Sequence, residues 1–395
     1  MPRARDFILG PWRAVLVLGV TQILAWGALF YPPVLTVPLI AAERGWSIAF
    51  TMGGFSLGLL AAGAVSPRVG AAIDQYGGHR VMPFGSLIGA LGLVALAQAD
   101  HWALYLAVWA VLGTAMAASL YDPAFATLGR IFGFRARPAI TALTLVAGFA
   151  STVSWPLTHV LIDNVGWRGA YLIYAGLLAF IGAPLHAFVL PRPRAAAEAR
   201  PQSATAEPIK VLPTDGLAFV LVATAFAAYA FVPSGLAAHM LAIFQRLGLD
   251  AGTAVAIGAL FGPAQVAARL VEFAFVRNVH PLWIARFAVA VLIAAFALLA
   301  ALGLSAPVAA LFALMFGGAN GLLTIARGTV PLALFGAEGY GRMIGRIGGA
   351  FLLIQALAPL ILAFVVERVS DPAALAVTAA FATVALACLA LIRRP

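Results

Sequence analysis

The sequence predicts an all-α membrane protein with twelve transmembrane helices in two pseudo-symmetric six-helix halves. Of its 395 residues, 63% are hydrophobic and only 10% are charged, a composition that soluble domains do not have. Twelve apolar runs follow one another, each long enough, at about 20 residues, to cross the hydrocarbon core of a bilayer. Similar residues recur at corresponding places in the first and last six runs, which indicates an internal repeat.

The first half is predicted to span residues 1–190 and the second half residues 214–395. A polar segment at 191–213 separates them and contains Lys210, the only lysine. Because its composition cannot bury a core, we expect a flexible cytoplasmic linker. Cys388 is the only cysteine, so no disulfide forms within the chain. The apolar runs place helices at about 14–41, 47–69, 80–98, 102–132, 138–162, 168–190, 214–243, 251–275, 282–303, 307–334, 344–366 and 373–392.

The positions of the arginines orient the chain in the bilayer. With the N-terminus inside, the predicted inner loops and the termini hold most of the 24 Lys and Arg residues. The predicted loops on the opposite side contain only Arg44, Arg168, Arg246 and Arg368. This bias predicts that both termini lie in the cytoplasm. We expect an integral protein in the lipid bilayer of a bacterial inner (plasma) membrane. The net charge of +10 therefore reflects orientation, and we expect no nucleic-acid partner.

A polar face lies within the eighth predicted helix. Arg269 has Gln265 one turn before it and Glu272 one turn after it, so the three side chains share a face. A charge at membrane depth costs at least about 2.5 kcal/mol and usually faces a cavity or a partner. We interpret this face as part of a substrate path. The alternative is an internal ion pair between Arg269 and Glu272, with Gln265 bonded to a neighbouring helix.

The loop between the second and third predicted helices carries the most specific motif. It contains Gly70, Asp74, Gly77 and Arg80. Glycine lets the chain turn sharply and the helices approach each other. Asp74 is expected to accept hydrogen bonds from a neighbouring helix N-terminus or to pair with an arginine. The loop resembles the signature loop of the major facilitator superfamily, although two basic positions of that pattern are not basic here.

Within that superfamily, the chain resembles the branch of monocarboxylate transporters and oxalate:formate antiporters. The tripeptide Gly45-Trp46-Ser47 after the first helix resembles that branch. In helix 8 the monocarboxylate transporters have an aspartate four residues before an arginine, and this chain has Gln265 before Arg269. The resemblance implies that Arg269 holds a carboxylate, whereas the amide of Gln265 cannot carry a proton.

Two charges occupy matching places in helices 4 and 10. The internal repeat aligns Asp122 beside Arg327. In the superfamily that the chain resembles, these helices face each other across a central cavity, so the charges could pair when the cytoplasmic side closes. The alternative is that each charge is hydrated in an open cavity. Asn320 lies two turns before Arg327 on the same helix face.

Several aromatic and polar side chains are further candidates for a cavity wall. They are Gln22, Trp26 and Tyr31 in helix 1, Tyr121 in helix 4, Trp155 in helix 5, and Tyr229 and His239 in helix 7. For the aromatic residues, packing or an interfacial belt is the alternative. The six histidines lack metal-ligand spacing, and no catalytic motif is present, so we expect no metal, no cofactor and no enzymatic activity.

These patterns together predict a monomeric secondary active transporter of a small organic anion, a carboxylate, that works by alternating access. Arg269 and Arg327, with the polar and aromatic candidates above, would bind the substrate. If transport is coupled to protons, Asp122 or Glu272 would carry the proton, because an apolar environment favours a neutral carboxyl. The Gly70–Arg80 loop would act in gating. The alternatives are an exporter of amphipathic metabolites or drugs, and a non-transporting membrane receptor.

Overall fold

The protein is helical, with no strand among the residues that its computed structural model describes. The described residues are 10–192, 211–276 and 278–393. The N-terminal tail and most of the predicted linker, including Lys210, lie outside them. Ten helical stretches of the described chain are long and apolar enough to span a bilayer. One stretch, Trp102–Val189, has 88 residues and contains three predicted helices. The all-α membrane class is therefore confirmed, and the count of twelve helices stays a prediction.

The first part of the chain follows the predicted order of helices. Its α-helices are α1 (Arg13–Leu29), α2 (Pro33–Arg44), α3 (Ile48–Tyr76), α4 (Gly78–Ala97), α5 (Trp102–Ser119), α6 (Tyr121–Phe132), α7 (Ala136–Ala147) and α8 (Ala150–Leu177). The backbone of Gly166 has a φ of 71° and kinks α8 where the sequence predicts a loop. Two π-helical turns, Leu178–Gly182 and Leu185–Val189, continue the chain.

The second part begins after the predicted linker. Its α-helices are α9 (Leu217–Arg246), α10 (Ala251–Gly258), α11 (Phe261–Val271), α12 (Pro281–Leu302), α13 (Ala306–Phe335), α14 (Tyr340–Arg368) and α15 (Asp371–Leu391). A π-helical turn, Glu272–Val276, extends α11. This turn carries one of the predicted functional acids.

Four predicted helices contain a short break, although each remains within one of the membrane-length stretches Arg13–Arg44, Trp102–Val189 and Ala251–Val276. The first predicted helix breaks between α1 and α2, the fourth between α5 and α6, and the eighth between α10 and α11. Pro33, Pro123 and Pro263 explain these breaks, because a proline has no N–H for the carbonyl four residues earlier and its ring crowds that carbonyl. The fifth predicted helix breaks after Ala147, where no proline stands at that spacing.

The described chain packs as two compact units. The first unit contains the described residues up to Gly216 together with Pro331–Gly349. The second contains Leu217–Val330 and Ala350–Arg393. The end of α13 and the first turns of α14 therefore belong to the same unit as α1 to α8. The predicted halves, with their linker between them, stay a prediction.

Matching caps occur within the two units. In the first unit, the Ser47 side chain accepts a hydrogen bond from the Phe50 amide at the start of α3. In the second, the Asp250 carboxylate accepts one from the Thr253 amide at the start of α10. In each case a glycine with positive φ precedes the cap. This is the local geometry expected of an internal repeat.

Matching ion pairs also occur within the two units. In the first, Arg168 of α8 forms a two-pronged pair with Glu43 at the end of α2. In the second, Arg246 at the end of α9 forms one with Asp371 at the start of α15. The partners are 125 residues apart along the chain in both pairs, with the charges exchanged. We refer to these two ion pairs as the end clamps.

Candidate functional site

Two arginines are buried within the helices of the second unit. Arg269 of α11 is 4% exposed and Arg327 of α13 is 7% exposed. Arginine stays ionised, so each guanidinium needs compensating contacts at this depth. The neighbours of these two side chains define the candidate site.

Arg269 makes contacts on the face that the sequence predicts. Its Nη2 donates to Gln265 Oε1 at 3.4 Å, and its Nε donates to the Gly321 carbonyl at 3.4 Å. A side-chain carbon on Gly321 would overlap the Gln265 backbone, so glycine allows α11 and α13 to approach. The predicted shared face of Gln265 and Arg269 is confirmed. Both hydrogen bonds are long, and a carboxylate oxygen at about 2.8 Å would bind the guanidinium more strongly.

Arg327 is held by an aromatic ring. Its guanidinium lies 4.3 Å from the ring centroid of Phe351 on α14, which is a cation–π contact. The Tyr229 ring of α9 lies 6.3 Å from the same phenyl ring, and the Tyr229 hydroxyl donates to Asn320 Oδ1. Tyr229 thereby links the arginine and the asparagine of α13. The predicted proximity of Asn320 and Arg327 is consistent with these contacts.

The two guanidinium groups act electrostatically on one buried tyrosine. Both Arg269 and Arg327 are within electrostatic reach of the Tyr229 side chain, which is buried. Two fixed positive charges, a phenol and the Asn320 amide therefore come together from three helices. This arrangement suits a small anion, because the two guanidinium groups and the Asn320 amide nitrogen can donate hydrogen bonds.

Glu272 begins the π-helical turn that follows α11. It is 2% exposed and lines a crevice between α11, α12 and α13. A buried carboxyl at membrane depth is costly, which is why the sequence marks it as a candidate proton carrier. That role stays a prediction.

An aromatic cluster lies in the first unit. The Trp26 ring centroid is 5.1 Å from that of Tyr121 and 5.9 Å from that of Tyr31. Tyr31 in turn contacts Trp155 edge-on at 6.1 Å. The structure therefore brings together four of the aromatic residues predicted for a cavity wall. Their contact with a substrate stays a prediction.

Gln22 bridges the break between α5 and α6. Its Nε2 donates to the Ser119 carbonyl at 2.6 Å and the Leu120 carbonyl at 3.2 Å, and its Oε1 accepts from Trp26 Nε1 at 3.1 Å. The Ser119 carbonyl is the one that Pro123 cannot satisfy. Gln22 is fully buried, so it positions Trp26 and the helix break. The substrate contact predicted for it stays a prediction.

Asp122 is the second residue of α6. Its carboxylate is buried in the first turn, where the partial positive charge of a helix N-terminus favours an acid. A side-chain carbon on Gly348 of α14 would overlap this carboxylate, so α14 packs closely against it. Asp122 and Arg327 belong to different units, and their pairing stays a prediction.

Asp74 caps α14 within the first unit. Its Oδ1 accepts from the Gly341 amide and its Oδ2 from the Arg342 amide, each at 2.7 Å. This is the first of the two partners expected from the sequence, a neighbouring helix N-terminus. A side-chain carbon on Gly70 would overlap the Gly341 carbonyl, and Gly77 has a φ of 82° between α3 and α4. Glycine is therefore required at both positions, at Gly70 by the close packing and at Gly77 by the positive φ.

Arg80 follows this loop and is exposed at the start of α4. It lines a shallow groove together with Tyr76, Val81 and Phe84. Among the described residues, no group of three or more His, Cys, Asp and Glu side chains is arranged to hold a metal ion.

The model of the Major Facilitator Superfamily matches residues 15–328, and the chain belongs to this superfamily. Membership of this family of transporters confirms that the chain is not an enzyme. Its relatives include monocarboxylate transporter 11 of Homo sapiens, 31% identical over 137 residues, which are 34% of this chain and 29% of the relative. Monocarboxylate transporter 6 of Mus musculus is 28% identical over 185 residues, which are 45% of this chain and 38% of the relative. The matched segments thus span less than two fifths of these relatives.

Solved structures show the same fold. The human organic anion transporter MFSD10 (TETRAN) has a TM-score of 0.73 and 18% identity, with 98% of this chain and 100% of that chain covered. The proton:xylose symporter XylE, bound to 6-bromo-6-deoxy-D-glucose, has a TM-score of 0.71 and 12% identity, with 97% of both chains covered. At these identities, the likeness concerns the fold alone.

The sequence did not identify Phe351 as a residue of the candidate site. Its contact with Arg327 joins two helices through tertiary packing, and an apolar residue in an apolar helix gives no sign of such a partner. Tyr229 carried a signal, since it is a tyrosine within an apolar run, but its link to Asn320 is visible only in the structure.

Proposed function

We propose that the protein is a secondary active transporter of a small organic carboxylate and that it works by alternating access. The observation that carries this proposal is the pair of buried guanidinium groups, Arg269 and Arg327, which both act electrostatically on the buried Tyr229 side chain. A positively charged, donor-rich site repels organic cations and attracts carboxylates. The monocarboxylate transporters among its relatives support the same substrate class.

The geometry suggests a role for each group. Arg269 offers its planar fork to the carboxylate, which replaces two long internal hydrogen bonds with shorter, charge-assisted ones. Arg327 keeps its orientation because Phe351 covers one face of the guanidinium, while the N–H groups lie in the guanidinium plane. The Asn320 amide nitrogen supplies a further donor, and the Tyr229 hydroxyl orients that amide by donating to its oxygen.

Proton coupling is part of the proposal, with Asp122 and Glu272 as the two candidate carriers. Both carboxyls are buried, and both lie on helices that also carry a proposed binding or wall residue. We further propose twelve membrane helices in two halves joined by a cytoplasmic linker, both termini in the cytoplasm of a bacterial cell, and a monomeric state. The positive-inside bias supports the orientation.

Ligand-induced stabilisation of the purified protein tests the substrate class. Small carboxylates should raise the unfolding temperature, whereas organic cations of similar size should not, because a ligand that binds only the folded state stabilises it. Arg269→Lys keeps the charge and loses the fork, so we expect carboxylate affinity to fall by about 10- to 100-fold. Arg368→Lys, at the exposed end of α14, is the matched control and should behave as the parent.

Normal carboxylate binding by well-folded Arg269→Ala protein would remove the proposed site.

The aromatic cluster of Trp26, Tyr31, Tyr121 and Trp155 favours a second candidate, an exporter of amphipathic metabolites or drugs. Stabilisation by lipophilic compounds that lack a carboxylate, reduced by Trp26→Ala, would support that candidate instead.

A further inference from the structure

The groove that Arg80 lines has a volume of about 350 Å³ and lies where α3 ends and α4 begins. Tyr76 belongs to the last turn of α3, and Val81 and Phe84 belong to α4. Arg80 and Phe84 are four residues apart, so the guanidinium and the phenyl ring share one face of α4. Phe84 is 65% exposed. The groove therefore joins a positive charge to an open aromatic surface.

The exposed apolar surface continues along α4 beyond the groove. Leu87 and Leu91 follow Phe84 at intervals of three and four residues, and both are exposed. This spacing keeps the three side chains on one face of the helix. On a membrane-spanning helix, an exposed apolar row of this kind faces lipid. An acyl chain would thus find a continuous apolar track that begins at Arg80.

A second segment repeats the combination of an exposed phenylalanine and an arginine. The π-helical turn Leu185–Val189 packs against α4, and its Phe188 is 85% exposed. Arg192 follows Phe188 by four residues and is exposed. Arg80 and Arg192 both belong to segments that the sequence places on the cytoplasmic side. Each arginine thus lies between an exposed aromatic ring and the predicted membrane surface.

Three arginines act together at this end of the first unit. Arg80, Arg130 and Arg192 come from separate segments of the chain, and all of them act electrostatically on the His79 side chain. Arg130, in the last turn of α6, also donates to the Gln75 carbonyl. Within the described part of the chain, the side chains of Arg80 and Arg192 have neither a hydrogen bond nor an ion pair. Both guanidinium groups therefore offer their donors to a ligand.

We propose that this groove binds the headgroup phosphate of an anionic phospholipid, with an acyl chain along Phe84, Leu87 and Leu91. The charges are complementary, because the guanidinium fork binds phosphate through paired hydrogen bonds and basic clusters at the membrane surface attract anionic lipids. A soluble phosphate would leave the apolar row uncovered, which favours a lipid as the occupant. The site lies in the first unit and does not depend on the proposed carboxylate substrate.

Native mass spectrometry of the full-length protein in a neutral detergent tests the proposal. The protein is titrated with phosphatidylglycerol, and phosphatidylcholine with the same acyl chains is the matched control lipid, because its choline group neutralises the phosphate. Phosphatidylglycerol should bind at least about tenfold more tightly. Arg80→Gln and Arg192→Gln should each lower its affinity by about five- to tenfold. Arg135→Gln removes a charge from the exposed turn between α6 and α7, and it should keep the parent affinity.

Two further measurements exclude simpler explanations. An unchanged unfolding temperature in lipid-free detergent shows that the variants are folded. Glycerol phosphate carries the headgroup charge without acyl chains, so it should displace phosphatidylglycerol only weakly.

Three results would each overturn the proposal. They are equal affinity for the two lipids, equal effects of Arg80→Gln and Arg135→Gln, and efficient displacement by glycerol phosphate, which would indicate a site for soluble phosphates. None of them bears on carboxylate binding by Arg269, which is measured separately.

Discussion

Replacing Gln22 with leucine is expected to destabilise the protein. The side chain is fully buried, and its amide contacts the carbonyls of Ser119 and Leu120 and the indole N–H of Trp26. Leucine fills a similar volume and offers none of these hydrogen bonds. Two carbonyls and one N–H would be left in an apolar interior without this partner.

The distances set the size of the effect. A buried polar group that loses its partner costs about 1–3 kcal/mol. We assign the full cost to two of the lost hydrogen bonds, the one to the Ser119 carbonyl at 2.6 Å and the one from the Trp26 indole at 3.1 Å. The 3.2 Å hydrogen bond to the Leu120 carbonyl is assigned the smallest cost. We therefore expect a loss of about 2–5 kcal/mol in the free energy of unfolding. Chemical unfolding of purified protein in detergent micelles, followed by tryptophan fluorescence, measures it.

A second substitution makes the test specific. Pro123→Ala restores an N–H four residues after Ser119, so the backbone could satisfy the carbonyl that Gln22 now satisfies. The double variant should be less destabilised than the sum of the two single variants, which is a positive coupling between the sites. A Gln22→Leu effect below about 0.5 kcal/mol, or strict additivity, would refute the bridging role.

Three further predictions concern acidic side chains. If Asp122 or Glu272 carries the transported proton, one of the variants Asp122→Asn and Glu272→Gln should flatten the pH dependence of net substrate flux into proteoliposomes. Exchange of substrate for substrate should survive in that variant. If both variants keep the wild-type pH dependence, neither residue carries the proton. Asp74→Asn removes the charge shared by two amides at the start of α14, so hydrogen exchange at those amides should accelerate by about 10- to 100-fold, and unchanged exchange would contradict the cap. Hydrogen bonds from the side chain and amide of Thr253 lower the pKa of Asp250. Because this folded-state pKa is depressed, the cap of α10 is fully present above the ordinary carboxyl pKa and is lost as the pH falls through the lowered value. Protection of the first amides of α10 should therefore decline only at strongly acidic pH, and above that range it should be lower in Asp250→Ala than in the parent protein.

Local spacing was enough to predict some contacts of the site. Gln265 and Arg269 are four residues apart, and helical geometry alone places them on one face. The glycines around Asp74 predict a close approach of helices, and an acid in that loop has few uses besides capping or pairing. These inferences succeed because they depend on residues that are near one another in the chain or on a motif with a clear backbone requirement.

Other features depend on distant parts of the chain. Phe351 lies under Arg327 only because α13 and α14 pack together, and Gln22 reaches Ser119 only because α1 lies beside α5 and α6. The helix breaks did have a local signal in Pro33, Pro123 and Pro263. Membrane helices often tolerate proline, so the sequence alone does not decide between a kink and a break.

The exchanged charges of the end clamps bear on how a chain with two repeats, as the sequence predicts, would avoid pairing a helix with the wrong repeat. Two similar repeats on one chain can trade equivalent helices during synthesis, and this is a common failure of repeat proteins. Here such a trade would bring Glu43 against Asp371, and Arg168 against Arg246. Like charges would then meet at both helix ends, whereas each native pairing joins opposite charges. The reversed polarity thus discriminates against the exchanged arrangement while the nascent helices are still finding their neighbours.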